Sequence, residues 1–416
     1  MFSLPPPPDL KENPIVPVDE SHDEQHQGEK PSVYRVPPYI TKLNGEAYQP
    51  QVVSFGPYHH GKDHLRPMEE HKHRARVHFL ELSRKSPTTF LDSLRKVEDE
   101  VKDSYDVLDP EWKIMRAATK EKNGYAPNKP FFNMPRQKFI EPYISQDMLL
   151  LENQLPMQVL YQLVAVMNNG REDDVNQLIG KFYFPGENKK FTGLGKCLHV
   201  MDVFRRGLLM EPWKVQHDLE IGLEAINEIS GSAPKETEPI IRSATELQEA
   251  GIRFKPSKAC LKDIHFDRGV LELPFFTVDD TTKSRLLNAM TFERLHSEVG
   301  NEVTSYVIFM DKIINNEQDV ALLHTEGIIQ NDLGSDKEVA QLFNSLCTDV
   351  TLPFDNNIDT VQKKISDHCK NNWNKCRAYF NRTYFKNPWT ILSLFAAIFL
   401  FMLTILQTIY IVLTYY

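Results

Sequence analysis

The chain has 416 residues, of which 41% are hydrophobic and 25% charged, values typical of a folded globular protein. Its formal net charge is −9, and outside one basic segment near the C-terminus no basic face is dense enough to predict nucleic acid as a partner. Five cysteines are scattered between Cys197 and Cys376, an odd number that argues against a disulfide framework and favours reduced thiols acting as small packing residues.

Residues 1–32 are predicted to form a disordered leader that is rich in proline and acidic residues. Its four consecutive prolines, Pro5 to Pro8, could dock in an aromatic-lined groove as a polyproline helix, but a plain leader is the simpler interpretation. The N-terminus lacks the charged and apolar regions of a secretory signal, so no export route is predicted.

The stretch of residues 33–61, called the strap below, is dense in prolines, glycines and aromatic residues. Prolines such as Pro37 and Pro38 fix φ and bias the residues before them toward extended backbone, so we expect an ordered, extended segment rather than regular helix. Such a segment can carry a binding site or can act as a structural belt across a helical body, and the sequence leaves both interpretations open.

Histidines cluster at the end of the strap and beyond it, with His59, His60 and His64 the closest together. His60 and His64 have the i,i+4 spacing of a helical metal pair. The cluster lacks the glutamate of an HExxH motif and is interleaved with lysine and arginine, which favours a solvated basic face. We therefore predict no metal ion and no cofactor for this chain.

Apolar residues at three- and four-residue steps predict a helix from about Thr88 to Leu108, the second of two after the histidines. That apolar stripe requires a partner helix. A short helix is expected at residues 112–120, and a loop rich in glycine and proline is expected at about 123–135.

The stretch from Ser145 to Met167 has a wide apolar face and is predicted to be a central helix, capped by Ser145. Within it, Glu152, Asn153 and Gln154 form a polar cluster beside a proline. The cluster could be catalytic, but the favoured interpretation is that it satisfies the backbone carbonyls that the proline frees.

Further helices are predicted at about 171–182, 197–209 and 215–229, followed by a polar linker at 230–239. The linker marks a candidate internal boundary near 230–240 within one family-sized helical domain at 33–387. After it, Ser243 begins a capping box and Gly251 ends the short helix. Short apolar segments joined by Asp267, Arg268 and Gly269 then predict a small β-hairpin.

Helices resume from about residue 280, and one of them is predicted to be capped by Ser335. The last helix of the body is expected to start near Asp359. Its predicted buried edge consists of Val361, Ile365, Cys369, Trp373 and Phe380. The body as a whole is therefore predicted to be mainly α, a helical bundle with one small hairpin.

The segment from Trp389 to Leu413 contains no charged residue and, as a helix, would span roughly 37 Å, enough to cross a bilayer core. A buried core helix is the alternative, but such helices usually keep a polar stripe. We therefore predict a transmembrane helix at 388–413 with a short tail at 414–416, so that membrane lipid is an expected partner.

Seven basic residues and one acid lie between Lys363 and Lys386, a local charge of +6, so the rest of the chain carries −15. A basic segment directly before the span predicts that the large N-terminal body lies on the cytosolic side. The expected arrangement is thus a single-pass, tail-anchored protein, and the glycosylation sequon at Asn381 should stay unmodified.

The chain resembles the plant "domain of unknown function 247" family over about residues 33–412, and the resemblance is highly specific. The matching segments, in order, are RVPPYITKLNGEAYQPQVVSFGPYHHG, LRPMEEHK, DMLLLENQLP, SATELQEAGIRF, FDRGVLELPFF, TSYVIFMDKII, GIIQNDLGSDKEVAQLFNSL and NPWTILSLFAAIFLFMLTILQTIY. The resemblance implies a mostly helical plant protein with one C-terminal membrane anchor and no established enzymatic activity. Some members at grass self-incompatibility loci are thought to act as pollen-side determinants of self-recognition.

This sequence departs from the family pattern in one region. The family usually carries an apolar helix with an Asp-Gly-Cys-Phe core before the LLLENQLP segment, whereas residues 112–135 here read WKIMRAATKEKNGYAPNKPFFNMP. The departure is typical of a diverged or specialised member.

The function expected from these features is that of a non-enzymatic, membrane-anchored recognition or signalling protein with one or more protein partners. GxSxG, HExxH, GxGxxG and P-loop patterns are absent from the sequence, so no catalytic residue is assigned. An enzyme of hydrolase type that uses the histidines His59, His60 and His64 or the cluster Glu152, Asn153 and Gln154 is the alternative. A scaffold that clusters membrane proteins is another. The sequence predicts no oligomeric state.

Overall fold

The computed structural model describes residues 31–108, 134–211 apart from 169 and 188, 242–348 apart from 259 and 297, 356–370, and 388–415. Within these ranges the protein is mainly α, with two small sheets and one apolar C-terminal helix, so the predicted fold class is confirmed. The leader up to residue 30, the candidate boundary at 230–240 and the helices predicted at 112–120 and 215–229 lie outside the described residues.

The strap contains a helix, α1, at Pro38–Asn44, so the prediction of an extended segment without regular helix is wrong here. Pro38 lies in the first turn, where a helix needs no N–H and where the fixed φ of proline fits. Short 3₁₀ turns follow at Gly45–Tyr48, Pro57–His59 and Asp63–Leu65, and the backbone between the first two is without regular structure.

Three helices come next: α2 at Arg66–Ser83, α3 at Pro87–Arg95 and α4 at Glu98–Asp103. The prediction of one helix from Thr88 to Leu108 is therefore wrong. The helix is interrupted at Val97, whose φ of −112° and ψ of 8° are not helical. Ser86 caps α3 by accepting a hydrogen bond from the backbone N–H of Thr89.

The predicted central helix from Ser145 to Met167 is also wrong, because this region forms two helices with a turn between them. Helix α5 covers Met134–Asp147, a 3₁₀ turn covers Leu151–Asn153, and α6 covers Met157–Asn168. Ser145 lies near the end of α5 and is not an N-cap, and Pro156 comes directly before α6. Helices α7 at Glu172–Tyr183 and α8 at Val200–Leu208 match the predictions for their regions.

The predicted hairpin is confirmed in β2 (His265–Asp267) and β3 (Val270–Pro274), which pair antiparallel. Arg268 and Gly269 have φ of 46° and 79°, the left-handed values that a two-residue hairpin turn of type I′ requires. Strand β1 (Arg253–Ser257) pairs parallel with β3, which gives the order β1-β3-β2.

A second, two-stranded sheet was missed by the sequence analysis: β4 (Phe276–Val278) pairs parallel with β5 (Ile329–Asn331). Before β1 lies α9 at Ala244–Glu249, which Ser243 caps as predicted by accepting from the N–H of Glu246. Gly251, with φ of 91°, follows its end, and Ile252 donates to the carbonyl of Leu247 in a Schellman closure.

The centre of the body is formed by α10 (Thr282–Leu295) and α11 (Glu302–Ile313) rather than by the region around residue 156. Both helices are buried on almost all sides: every residue from Leu286 to Glu293 and from Val303 to Met310 is buried. Around them pack α12 (Glu317–Thr325), α13 (Asp336–Leu346) and α14 (Asn356–Lys370). The core is continuous from the N-terminal half to α14.

Ser335 is the N-cap residue of α13 as predicted, although its side chain makes no capping hydrogen bond. On α14 the predicted buried residues Val361, Ile365 and Cys369 are confirmed, whereas Trp373 and Phe380 lie outside the described residues. Among the described cysteines, Cys197, Cys260 and Cys369 are buried and none forms a disulfide.

The last helix, α15, covers Pro388–Tyr415. Within it Phe395–Val412 has a mean hydropathy of 2.3, and none of this window is buried. Its large side chains are accordingly exposed, for example Phe399 at 64% and Phe401 at 67%. By length and composition α15 can cross a membrane.

Candidate functional site

The polar residues that the sequence singled out near Pro156 meet the strap. Asp147, at the end of α5, is fully buried and accepts three backbone hydrogen bonds from the strap. Its Oδ1 accepts from Gln51 at 2.9 Å, and its Oδ2 accepts from Val52 at 2.7 Å and Val53 at 2.8 Å. One carboxylate therefore satisfies three consecutive N–H groups that the strap could not pair within itself.

Asn153 forms the next connection to the strap. Its Oδ1 accepts from Phe55 at 2.7 Å and Gly56 at 3.3 Å, and its Nδ2 donates to the carbonyls of Val53 and Asp147, each at 2.9 Å. All four hydrogen bonds of the amide are thus made. The approach is close, because a Cβ on Gly56 would lie 2.7 Å from the carbonyl oxygen of Gln154.

Glu152 and His59 bring a third part of the strap to the same turn. Oε1 of Glu152 accepts from the N–H of Val36 at 2.7 Å, and its Oε2 lies 3.2 Å from Nε2 of His59. His59 is 2% exposed, and within the described part of the chain neither of its ring nitrogens makes a hydrogen bond of good geometry. The contact with Glu152 is therefore a close charge–dipole or charge–charge contact rather than an aligned hydrogen bond.

Gln154 completes this set, which we call the strap clamp: Asp147, Glu152, Asn153 and Gln154. Its Nε2 donates to the carbonyls of Met148 and Leu150, and its Oε1 accepts from the N–H of Met201 on α8. The sequence favours a structural role for the polar cluster, and the amides of Asn153 and Gln154 do bind backbone groups. The groups belong to the strap and the turn, however, and were not freed by a proline kink.

Burial raises the pKa of Asp147, and the three N–H donors and nearby His59 oppose that rise. Loss of hydration disfavours the charged carboxylate, whereas the three N–H donors favour it. Such a group is costly to leave without its partners, so the strap and the end of α5 stabilise each other.

The other histidines do not gather into a metal site. His60 is exposed and has extended backbone, with φ of −63° and ψ of 141°, so its i,i+4 spacing to His64 does not place the two on one helix face. The Nε2 of His64 lies 3.0 Å from the carbonyl oxygen of Pro50. Among the described residues no group of three or more His, Cys, Asp or Glu could hold a metal ion.

A buried ion pair that the sequence analysis missed lies between α8 and α10. Nε of Arg205 donates to Oε1 of Glu293 at 2.7 Å, and its Nη2 bonds Glu302 at the start of α11. Glu293 also accepts from Val303 and Thr304 at the N-terminus of α11. Burial raises the pKa of Glu293, and Arg205 opposes this effect. No sequence signal marks such a pair, because its members lie 88 residues apart.

On the outer side of α1 a cleft of about 350 Å³ opens between α1, α10 and the C-terminal end of α13. Tyr39 and Leu43 of α1 stand at this cleft and are 58% and 55% exposed. Arg294 of α10 lies over the Tyr39 ring, 5.3 Å from its centre. This arrangement, which we call the α1 cleft, could not be read from the sequence because α1 itself was not predicted.

These features define a mainly helical protein whose strap is fastened to a buried polar turn and whose C-terminal helix is apolar enough to cross a membrane. The chain belongs to the DUF247 family, described as plant protein of unknown function, whose model matches residues 33–403. The resemblance stated from the sequence motifs is thereby confirmed.

Two relatives from Arabidopsis thaliana illustrate the similarity. The UPF0481 protein At3g47200 is 30% identical over 92% of this chain and 86% of its own length. The putative UPF0481 protein At3g02645 is 29% identical over 42% of this chain and 34% of its own length. No solved structure matches the chain.

Proposed function

We propose that the chain is a non-enzymatic recognition or signalling protein that is anchored in a membrane by α15 and displays its body to the cytosol. The exposure of α15 carries this proposal. Each large apolar side chain left in water costs roughly 1.5–3 kcal/mol, and the whole window Phe395–Val412 is unburied. A lipid bilayer removes that cost.

The cytosolic orientation is supported by the charge of the segment before α15. Between Lys363 and Lys386 the local charge is +6. Basic residues flanking a span favour the cytosolic side, and each one near an anionic leaflet contributes about 1 kcal/mol.

The hydrogen bonds made by the strap clamp support the non-enzymatic part of the proposal. Backbone groups are the hydrogen-bond partners of Asp147, Asn153 and Gln154, as expected of structural residues. Two of the three residues of the polar cluster, Asn153 and Gln154, thus bind backbone groups of the strap and the turn. The strap in turn holds α1 with its exposed Tyr39 and Leu43 at the surface.

A more specific form of the proposal follows the family members linked to self-incompatibility. In that form the protein partner would differ between alleles of this chain, whereas a general membrane scaffold would bind the same partners in every allele. A comparison of the partners bound by different alleles therefore distinguishes a recognition protein from a general scaffold.

The proposal is tested by mild crosslinking in plant membranes followed by purification of the full chain, with a fusion of residues 371–416 to an inert reporter as matched control. We expect protein partners that the full chain recovers and the control does not. Identical sets of crosslinked proteins would contradict recognition by the body.

The enzymatic alternative is tested with Glu152→Gln, which keeps an oxygen to accept from Val36 but removes the charge facing His59. We expect partner recovery to be unchanged in this variant. Complete loss of the biological activity with the fold and partner recovery intact would favour catalysis instead.

A further inference from the structure

We propose that the α1 cleft binds a small monocarboxylate with an apolar body. Its volume of about 350 Å³ lies at the small end of the range of ligand pockets, roughly 300–1,000 Å³. The cleft is therefore suited to a compact molecule rather than to a helix or a long peptide.

The charge of the α1 cleft comes from one side chain. Arg294 is exposed, and its guanidinium lies over the ring of Tyr39. Within the described part of the chain no aspartate or glutamate lines the cleft. Of the two acids closest to it along the chain, Glu293 binds Arg205, and Glu298 is exposed and is not among the residues that line the cleft. Arg294 is thus the one charged residue among the described residues that line the cleft, and its planar fork matches a carboxylate in two parallel hydrogen bonds.

The walls of the α1 cleft supply the apolar part of the selectivity. Ile40 and Leu43 of α1 face Leu287 and Met290 of α10 across it, and Leu346 of α13 adds a third apolar side. A ligand that combined a carboxylate with an aromatic or aliphatic body would therefore satisfy both the cation and these walls.

The polar groups at the base are already committed to one another. The hydroxyl groups of Tyr48 and Thr291 lie 3.0 Å apart and are both buried, and Thr304 donates to Glu293. They can contribute a dipole to a bound ligand, but Arg294 is the group that distinguishes an acid from its amide or its amine. An amine would meet the guanidinium as a like charge.

The test uses the full chain in lipid nanodiscs with ¹³C-labelled methionine methyl groups. The probe is 4-phenylbutyrate, compared with 4-phenylbutanamide and 4-phenylbutylamine, each titrated to millimolar concentration. The signal of Met290, assigned with Met290→Leu, reports on the cleft, and that of the fully buried Met201 serves as internal control. We expect the acid to shift the Met290 signal without moving Met201, and the amide and amine to bind at least about tenfold more weakly.

Variants then locate the cation and the apolar wall. Arg294→Gln is expected to weaken binding of the acid about tenfold to a hundredfold, while Arg253→Gln, a change at an exposed arginine on β1, leaves it unaltered. Leu43→Ala should weaken the acid and the amide alike. Because Arg294 and Leu43 are exposed, these variants are expected to fold.

Two results would overturn the proposal. One is a Met290 signal that none of the three compounds moves in the folded wild-type chain. The other is binding of the acid that Arg294→Gln and Arg253→Gln leave equally strong. Neither result bears on the protein partners proposed above, since no plant protein other than this chain is present in the sample.

Discussion

At the scale of single residues, Asp147 is the group on which the position of the strap most depends. It is fully buried, and its two oxygens accept from three consecutive N–H groups. A buried acceptor of this type costs far more to remove than its net contribution suggests, because the donors are then left without partners.

Asp147→Asn tests this role, since the amide keeps the size of the side chain but replaces one acceptor oxygen by a donor. We expect a loss of about 2–4 kcal/mol in the free energy of unfolding, measured by urea denaturation of the body. Asp92→Asn, which removes an exposed pair with Arg95, is the matched control and should cost at most about 0.5 kcal/mol. Equal effects of the two variants would show that the strap is not fastened in this way.

His199 is the second residue that matters at this scale, because its contacts define its protonation state. Its Nδ1 accepts from the N–H of Asp202 at the start of α8, and its Nε2 lies 3.1 Å from the carbonyl oxygen of Ser32. The two contacts define a neutral ring that carries its proton on Nε2. Burial lowers the pKa of His199 to about 4, with Asp202 opposing the shift.

A lowered histidine pKa means that stability is fully present above the ordinary pKa near 6.5 and is lost as the pH falls toward 4. We expect the wild type to lose about 2 kcal/mol more than His199→Asn between pH 6.5 and 5, since each pH unit in this window corresponds to about 1.4 kcal/mol. Asparagine can still cap α8 but does not titrate. Urea midpoints across this pH range provide the measurement, and parallel pH profiles would contradict a buried neutral His199.

At the scale of elements, the packing of α7 depends on a glycine. A Cβ on Gly180 would lie 2.2 Å from Cδ2 of Phe191, whose ring is 1% exposed. Phe191 also stacks with Phe184, at 5.7 Å between ring centres. The ring therefore has little room to move away.

Gly180→Ala should accordingly destabilise the body by about 1–3 kcal/mol in spite of the better helix propensity of alanine. Gly45→Ala is the control, because Gly45 has helical φ of −54° and nothing lies within 4 Å of its Cβ position. We expect that control to be neutral or slightly stabilising. The melting temperatures of both variants provide the measurement. A Gly180→Ala protein as stable as the wild type would mean that the Phe191 ring can move aside at little cost.

Elements with strong local signals were the ones that the sequence predicted well. The hairpin turn at Arg268 and Gly269 and the cap at Ser243 follow from the few residues around them. Helices α10 to α13 follow from apolar periodicity, although periodicity did not reveal that α10 and α11 form the centre. Strand β5 has only three residues, too few for a pattern to show.

The wrong predictions of secondary structure lie where side-chain contacts with residues far away in sequence determine the backbone conformation. The stretch from Met148 to Gln154 has the composition of a helix, yet Asn153 and Gln154 bind the carbonyls of Val53, Met148 and Leu150 and hold it in a turn. A single sequence gives no sign of a partner some 100 residues away. The polar cluster itself was therefore predictable, whereas its contact with the strap and the existence of the α1 cleft were not.

At the scale of the whole molecule, the protein joins a body with one continuous core to a helix that the described part of the body does not cover. The core reaches from Val36 to Cys369, whereas the window Phe395–Val412 is unburied. The solubility of the chain should therefore depend on α15 alone.

A chain that ends at residue 387 should remain in the aqueous fraction after alkaline extraction of membranes, and the full chain should stay in the pellet. The matched control is a full-length variant in which Phe395, Phe399 and Phe401 are replaced by leucine, which keeps the span apolar. A truncated chain that is folded but still resists extraction would reveal a second membrane contact in the body.

The orientation of the body in the membrane is the central claim, and glycosylation tags measure it directly. One short tag with an Asn-X-Thr acceptor is fused to the N-terminus in one protein and to the C-terminus in another, and both are expressed in plant cells. We predict that only the C-terminal tag is glycosylated, since it crosses into the lumen while the body stays in the cytosol. A glycosylated N-terminal tag with an unmodified C-terminal tag would contradict the cytosolic orientation on which the proposed recognition function rests.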